Sequence, residues 1–254
     1  MAQLEFNEEM VAELEVLYGR PDILRRRALV HEALGAQPGE RILDAGCGPG
    51  FYLSEILEAI GPEGSAVGVD ASKPMLAVAA KRCDGGNVAF HEGDVTALPV
   101  GDGEFDRALS VQVLEYVTDI PGALAELRRV VKPGGLVLVW DVDWATVSWH
   151  SDDPARMERF LAAWDEHLAD PSLPQTLSAR MRAAGFEDVR MSGHAFVSDD
   201  LTEDTYAGAL VPMMSDYVGT DEAREWAEEQ RELQLRGESY FACIQFCFTA
   251  TRPR

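Results

Sequence analysis

Five short apolar runs, four of them ending at a glycine or an acid, constrain this chain more than any other feature. They are ILDAG (42–46), AVGVD (66–70), VAFHEGD (88–94), FDRALSV (105–111) and LVLVWD (136–141). Helical periodicity fills 51–60, 73–82 and 121–131, with a short helical piece before the last. Parallel neighbours need a crossover, and a helix is the usual one. The alternation therefore predicts an α/β domain with a parallel sheet covered by helices on both faces.

The pattern changes after Asp153. Residues 154–184 read as helical with a break at DPSLP (170–174), and GFEDVRMSGHAFV (185–197) reads as a sixth strand. A helical excursion over 201–236 separates it from SYFACIQFCFTATRP, a seventh strand-like run. Ahead of the sheet, Leu4, Met10, Val11, Leu14, Leu17 and Tyr18 predict an amphipathic helix over 4–18. Gly19–Pro21 breaks it, and Asp22 is a candidate cap for a second helix ending at Leu34. We read 1–254 as a single domain, with N-terminal helices over 1–36 and a ligand-binding core over 37–141. Insertions at 142–184 and 198–238 would form the acceptor side and a lid.

A net charge of −22 repels phosphates and anionic lipid heads, which disfavours nucleic-acid and membrane partners. No run reaches the roughly 20 apolar residues of a membrane span, and MAQLEFNEEM lacks a basic, then apolar, leader. The four cysteines form no CxxC pair, which fits a reducing cytoplasm and no metal site.

The first strand ends in LDAGCGPG (43–50), where Gly46, Gly48 and Gly50 let backbone approach a ligand at a helix N-terminus. A dinucleotide fingerprint needs a third glycine at position 51, and this chain has Phe51. That counts against a nicotinamide oxidoreductase. Asp70 closes the second strand where a carboxylate can accept ribose hydroxyls.

Asp44-x-Gly46-x-Gly48-x-Gly50 resembles motif I of the class I S-adenosylmethionine-dependent methyltransferases, and residues 40–141 follow that family's motifs in order. The chain looks like the type 11, or UbiE-like, branch that acts on small molecules. The resemblance implies a Rossmann-like seven-stranded sheet, mostly parallel, with the last strand antiparallel and inserted beside the sixth. It implies S-adenosyl-L-methionine as methyl donor and S-adenosyl-L-homocysteine as product. Asp70 would take the ribose, and Asp94 of GDV (93–95) the adenine amino group. The donor site would comprise Asp44, Gly46, Cys47, Gly48, Gly50, Asp70, Ala71, Met75, Gly93, Asp94, Val95, Val111 and Gln112. Tyr18 and one of Arg25, Arg26 or Arg27, with Arg26 favoured, would close over the methionyl end.

If LVLVW is the fifth parallel strand, DVDWATVSWHSDD (141–153) forms the lip of the same crevice. Asp143 and His150 are then candidate proton acceptors, and Trp144 and Trp149 candidate walls for an aromatic or cationic acceptor. Packing of Trp149 onto the sheet and a turn-capping His150 are the plain alternatives. Gln112, Glu115 and Tyr116 follow the fourth strand and should lie near the methyl group. Relatives often carry histidine at the position of Tyr116. Met213 and Tyr217 are candidates for an apolar lid, or for core. The function expected is methyl transfer to an oxygen, nitrogen or carbon of a small, aromatic or partly apolar metabolite. A non-catalytic donor-binding scaffold is the alternative, and the oligomeric state is open.

Overall fold

The computed structural model describes residues 18–202 and 204–254; apart from Tyr18, the helix expected over 4–18 lies outside them. Seven strands form one sheet in the order β3-β2-β1-β4-β5-β7-β6. They are β1 (Arg41–Ala45), β2 (Ser65–Asp70), β3 (Val88–Glu92), β4 (Phe105–Val111), β5 (Val131–Trp149), β6 (Glu187–Ser198) and β7 (Phe241–Thr251). The first five pair in parallel, and β7 lies antiparallel between β5 and β6. The described helices are α1 (Pro21–Leu34), α2 (Phe51–Ile60), α3 (Lys73–Arg82), α4 (Ile120–Val130), α5 (Pro154–Asp165), α6 (Pro174–Ala183), α7 (Tyr206–Val218) and α8 (Asp221–Arg236). A 3₁₀ turn, Leu114–Tyr116, precedes α4.

Burial on both faces explains why the inner strands are almost continuously apolar. One core packs Leu43, Val67, Val137 and Val139 against α4 and α6. The other packs Ile42, Trp140, Val142 and Trp144 against α1, α2, α5, α7 and α8. Side-chain caps fix where several helices begin: Ser72 accepts from Met75, Asp119 from Gly122 and Asp153 from Arg156.

Two features differ from the sequence expectation. Asp22 is not the cap of α1: Arg20 holds that position with Pro21 following, and the Asp22 carboxylate accepts from the Tyr206 amide, tying α1 to α7. β5 does not end at Asp141 but continues to Trp149. Its second half pairs with the start of β7, Trp149 opposite Phe241, after a register shift between Asp143 and Ser148. The stretch expected as a lip is therefore mostly strand, because β7 is long enough to keep pairing it.

Candidate active site

Strand order reverses between β1 and β4, and a crevice opens at such a switch beyond the carboxyl ends of the strands. On the β1 side the glycine loop is pinned to β2: the amides of Gly46 and Cys47 both donate to the Val69 carbonyl, at 2.7 and 3.0 Å. Gly46, Gly48 and Gly50 all have positive φ. At Gly46 glycine is required twice over, since a Cβ there would lie 2.2 Å from Val113 Cγ2. At Gly48 a Cβ would meet nothing within 4 Å, so the space beside the loop is open. Gly46→Ala is expected to destabilise the protein by about 2–4 kcal/mol, combining a left-handed backbone cost with overpacking. An unchanged denaturation midpoint would contradict this.

Two carboxylates border the loop. Asp70 accepts from the amides of Gly48 and Ser72, each at 2.8 Å, and so links the loop to the start of α3. Asp44 is almost wholly buried, and its Oδ2 has no hydrogen-bond partner among the described residues. Burial, and then the charge of Asp70, push Asp44 up to about 8. Cys47 is buried with its thiol against the Gly48 carbonyl, and burial pushes it far above an ordinary thiol. Met75 and Val95 are buried, Ala71 is exposed, and Gly93 donates to the Asp70 carbonyl. Asp94 is exposed, with one oxygen accepting from the amide and hydroxyl of Thr96.

Phe51, the residue that breaks the dinucleotide fingerprint, is an aromatic platform. Tyr18 stacks on it at 4.9 Å between centroids, and the Arg27 guanidinium lies 4.9 Å from its ring. Of the three adjacent arginines, Arg26 is the one turned fully inward. It donates to the Tyr52 hydroxyl at 3.3 Å and to Gln112 Oε1. Arg25 instead donates to the Ala195 carbonyl, and Arg27 pairs with Glu55. Gln112, just past the buried Val111, holds a left-handed backbone (φ 53°), which is uncommon for a non-glycine residue and marks a constrained site.

The sequence reading gave Glu115 no specific role, yet it is central. β4 stops at Val111 while β5 runs on, which leaves the β5 edge beyond Trp140 free on that side. Glu115, wholly buried on the 3₁₀ turn, covers this edge. Its Oε2 accepts from the Val142 amide at 3.3 Å and from Trp144 Nε1 at 3.2 Å, while Oε1 has no partner among the described residues. The Tyr116 hydroxyl faces the same carboxylate. Asp141 lies behind it beside the amides of Val113 and Glu115, with neither oxygen in a well-formed hydrogen bond. Burial raises both carboxyl groups, and the charge of Glu115 further opposes ionisation of Asp141. Tyr206, buried on α7, closes the group over Gln112 and Arg26.

The remaining candidates are divided. Trp144 belongs to the Glu115 cluster, and its ring meets Trp164 at 5.5 Å. Tyr217 packs on Trp164 and His167, which in turn meets Tyr116 at 5.7 Å. Met213 is partly buried beside the same core. Asp143 points to the opposite face of β5, where its carboxylate accepts from Gln175 of α6. Trp149 packs edge-on against Trp226 and Phe241. His150 is exposed at the far end of β5, with its backbone bound to Tyr240 and Gln230. The structure does not bring Asp143, Trp149 or His150 to Glu115. Glu115 itself was legible as an acid inside an apolar run, VQVLEYV. Tyr206 belongs to the stretch read as an apolar lid or as core, and the fold carries it on α7 to this site.

Comparison with known proteins agrees with this geometry. Residues 42–135 match the family described as methyltransferase domain. A malonyl-[acyl-carrier protein] O-methyltransferase of Erwinia billingiae is 34 % identical over 59 % of this chain and 61 % of its own. A 2-phytyl-1,4-naphtoquinone methyltransferase of Synechocystis is 37 % identical over 45 % of this chain and 50 % of its own. The chain thus spans about half to three fifths of the length of these relatives. A solved phosphoethanolamine N-methyltransferase 2 of Haemonchus contortus, in complex with S-adenosyl-L-methionine, shares the fold at TM-score 0.66 and 17 % identity, over 99 % of this chain and 58 % of that one. Residues 42–135 thus match a methyltransferase domain, and the seven-stranded sheet that holds them has the fold of the solved methyltransferase.

Proposed function

We propose that this protein transfers the methyl group of S-adenosyl-L-methionine to an oxygen, nitrogen or carbon of a small, aromatic or partly apolar metabolite. The observation that carries the reading is the glycine loop with Asp44 and Asp70 on one wall and the constrained Gln112–Glu115 segment on the other, across the switch point. The residues fit the donor: the space at Gly48 is open, and the buried Asp44 Oδ2 lacks a partner among the described residues. Asp44, Gly46, Cys47, Gly48, Gly50 and Asp70 would hold it, with Ala71, Met75, Gly93, Asp94, Val95, Val111 and Gln112 around it. When bound, the donor supplies a methyl group on a sulfonium, which is a strong electrophile with a neutral leaving group.

The protein's own part is then placement and proton handling. Tyr18 and Arg26 would roof the site from the N-terminal side and exclude water, which strengthens every interaction inside. Tyr116 and Trp144, with Tyr217 behind, would hold an acceptor ring or chain at attack distance. Glu115 would receive the acceptor's proton through its unpartnered Oε1, while Trp144 and the Val142 amide fix the other oxygen.

Calorimetric titration with S-adenosylmethionine, S-adenosylhomocysteine and NAD tests the donor assignment. Binding of the first two and not of NAD is expected; folded protein that binds neither adenosyl ligand would refute it. Asp70→Ala is expected to cost roughly 1–3 kcal/mol of donor affinity, the range for lost hydrogen bonds to a charged group. Unchanged affinity would move the ribose elsewhere. Turnover of donor with an acceptor panel separates an enzyme from a non-catalytic donor-binding scaffold.

A further inference from the structure

The acceptor side of the crevice holds a buried pair of carboxyl groups. Glu115 and Asp141 are both wholly buried, and neither is neutralised by a neighbouring cation in direct contact. The inward-facing guanidinium of this cluster, Arg26, already donates to Tyr52 and Gln112. One oxygen of Glu115 has no partner among the described residues, although buried polar atoms are normally paired. Aromatic groups surround this carboxylate: the Trp144 edge, the Tyr116 hydroxyl, and beyond them a cluster of Trp164, His167 and Tyr217. Tyr116 keeps 38 % of its surface exposed, so its ring is open to an entering molecule.

We propose that the methyl acceptor is an amine that enters as its ammonium ion, held by Glu115 with Asp141 behind it and by the ring of Tyr116. This rests on the methyltransferase reading above and narrows it to nitrogen. An anionic acceptor would meet the buried Glu115 carboxylate. A neutral hydroxyl would leave its charge uncompensated, whereas an ammonium supplies the missing countercharge and several N–H donors. Rings add a cation–π contribution that strengthens when water is excluded. The net charge of −22 attracts cations over longer range.

The step balances. The ammonium gives one proton to Glu115, and the freed nitrogen lone pair forms the nitrogen–carbon bond. The carbon–sulfur bond breaks with its electron pair remaining on sulfur. The product is the methylated ammonium, and the proton passes from Glu115 to solvent as product leaves.

Calorimetry on the full chain saturated with S-adenosylhomocysteine, using benzylamine, benzyl alcohol and benzoate at neutral pH, tests this. Benzylamine is expected to bind at least about 10-fold more tightly than benzyl alcohol, as for a charge-assisted against a neutral hydrogen bond, with benzoate weakest. Glu115→Gln should erase that preference while keeping S-adenosylhomocysteine affinity and the circular dichroism spectrum. Equal binding of amine and alcohol, binding of none of the three, or a preference that survives in folded Glu115→Gln would overturn the amine assignment and leave the methyltransferase reading standing. Failure of the wild type to bind S-adenosylhomocysteine would overturn both.

Discussion

Replacing Glu115 with glutamine is expected to lower the rate constant for methyl transfer by about 10²–10⁴-fold at unchanged donor affinity, the range for losing a positioned general base. The substitution is nearly isosteric. Its amide oxygen can still accept from Trp144 Nε1 and the Val142 amide, so β5 and the 3₁₀ turn keep their contact. What is lost is the ability to take a proton. Burial raises the Glu115 carboxyl, with the hydrogen bonds from Trp144 and the Val142 amide, the Tyr116 hydroxyl and the Arg26 charge opposing it. Wild-type rate should therefore climb as pH rises through the titration of this group, and that limb should vanish in the variant. Asp143→Asn and His150→Ala belong in the same experiment. Asp143 is held by Gln175 on the other face of the sheet, and His150 is on the surface, so both are expected to stay near the wild-type rate. A full rate in Glu115→Gln with a large loss in either of the others would put the proton acceptor where the sequence alone suggested it.

That contrast shows how far the sequence could be read. β1 to β4 were legible as short apolar runs, the first three stopped by glycine or an acid, and the glycine loop because its spacing is local. The antiparallel seventh strand followed from the family resemblance. The length of β5 was not legible, since Trp149 is held by Phe241 and no local signal records a partner that far along the chain. The face of Asp143 was within reach. Strand side chains alternate, so Trp140, Val142 and Trp144 share one core while Asp141 and Asp143 point away from it. Placing Asp143 and Trp144 together on one lip required a loop, and the register with β7 makes a strand instead. Glu115 needed tertiary information of another kind: its importance depends on β4 stopping at Val111, opposite Trp140, while β5 runs on to Trp149.

The ligand-free protein is expected to lose stability as pH rises from about 5 to about 8, a window where many proteins are at their most stable. Asp44 sets the direction. Its carboxyl is raised to about 8 in the folded chain by burial and by Asp70, with Tyr18, Tyr52 and Cys47 also around it. In the unfolded chain it titrates near 3.9. Between these values the folded state holds a proton that the unfolded state has released. Raising the pH therefore favours unfolding, and the stability from protonated Asp44 is complete below about pH 4 and lost through pH 8. At about 1.4 kcal/mol per unit, the whole window is worth on the order of 5 kcal/mol for this one group. Glu115 and Asp141 are raised by burial and slope the same way. Asp106 and Glu126 oppose them, but only in acid: their carboxyls are lowered by Arg41 and Lys132 and by Arg129, so their contribution is already present at pH 5. Urea denaturation of the wild type and of Asp44→Asn across pH 5–8 measures the effect. The wild type should weaken steadily, and the variant, which cannot ionise at this position, should show a flatter profile and overtake it at the alkaline end. Parallel profiles would mean that Asp44 is ionised in the folded protein at neutral pH. The glycine loop would then carry a buried negative charge beside Asp70 even before a donor arrives.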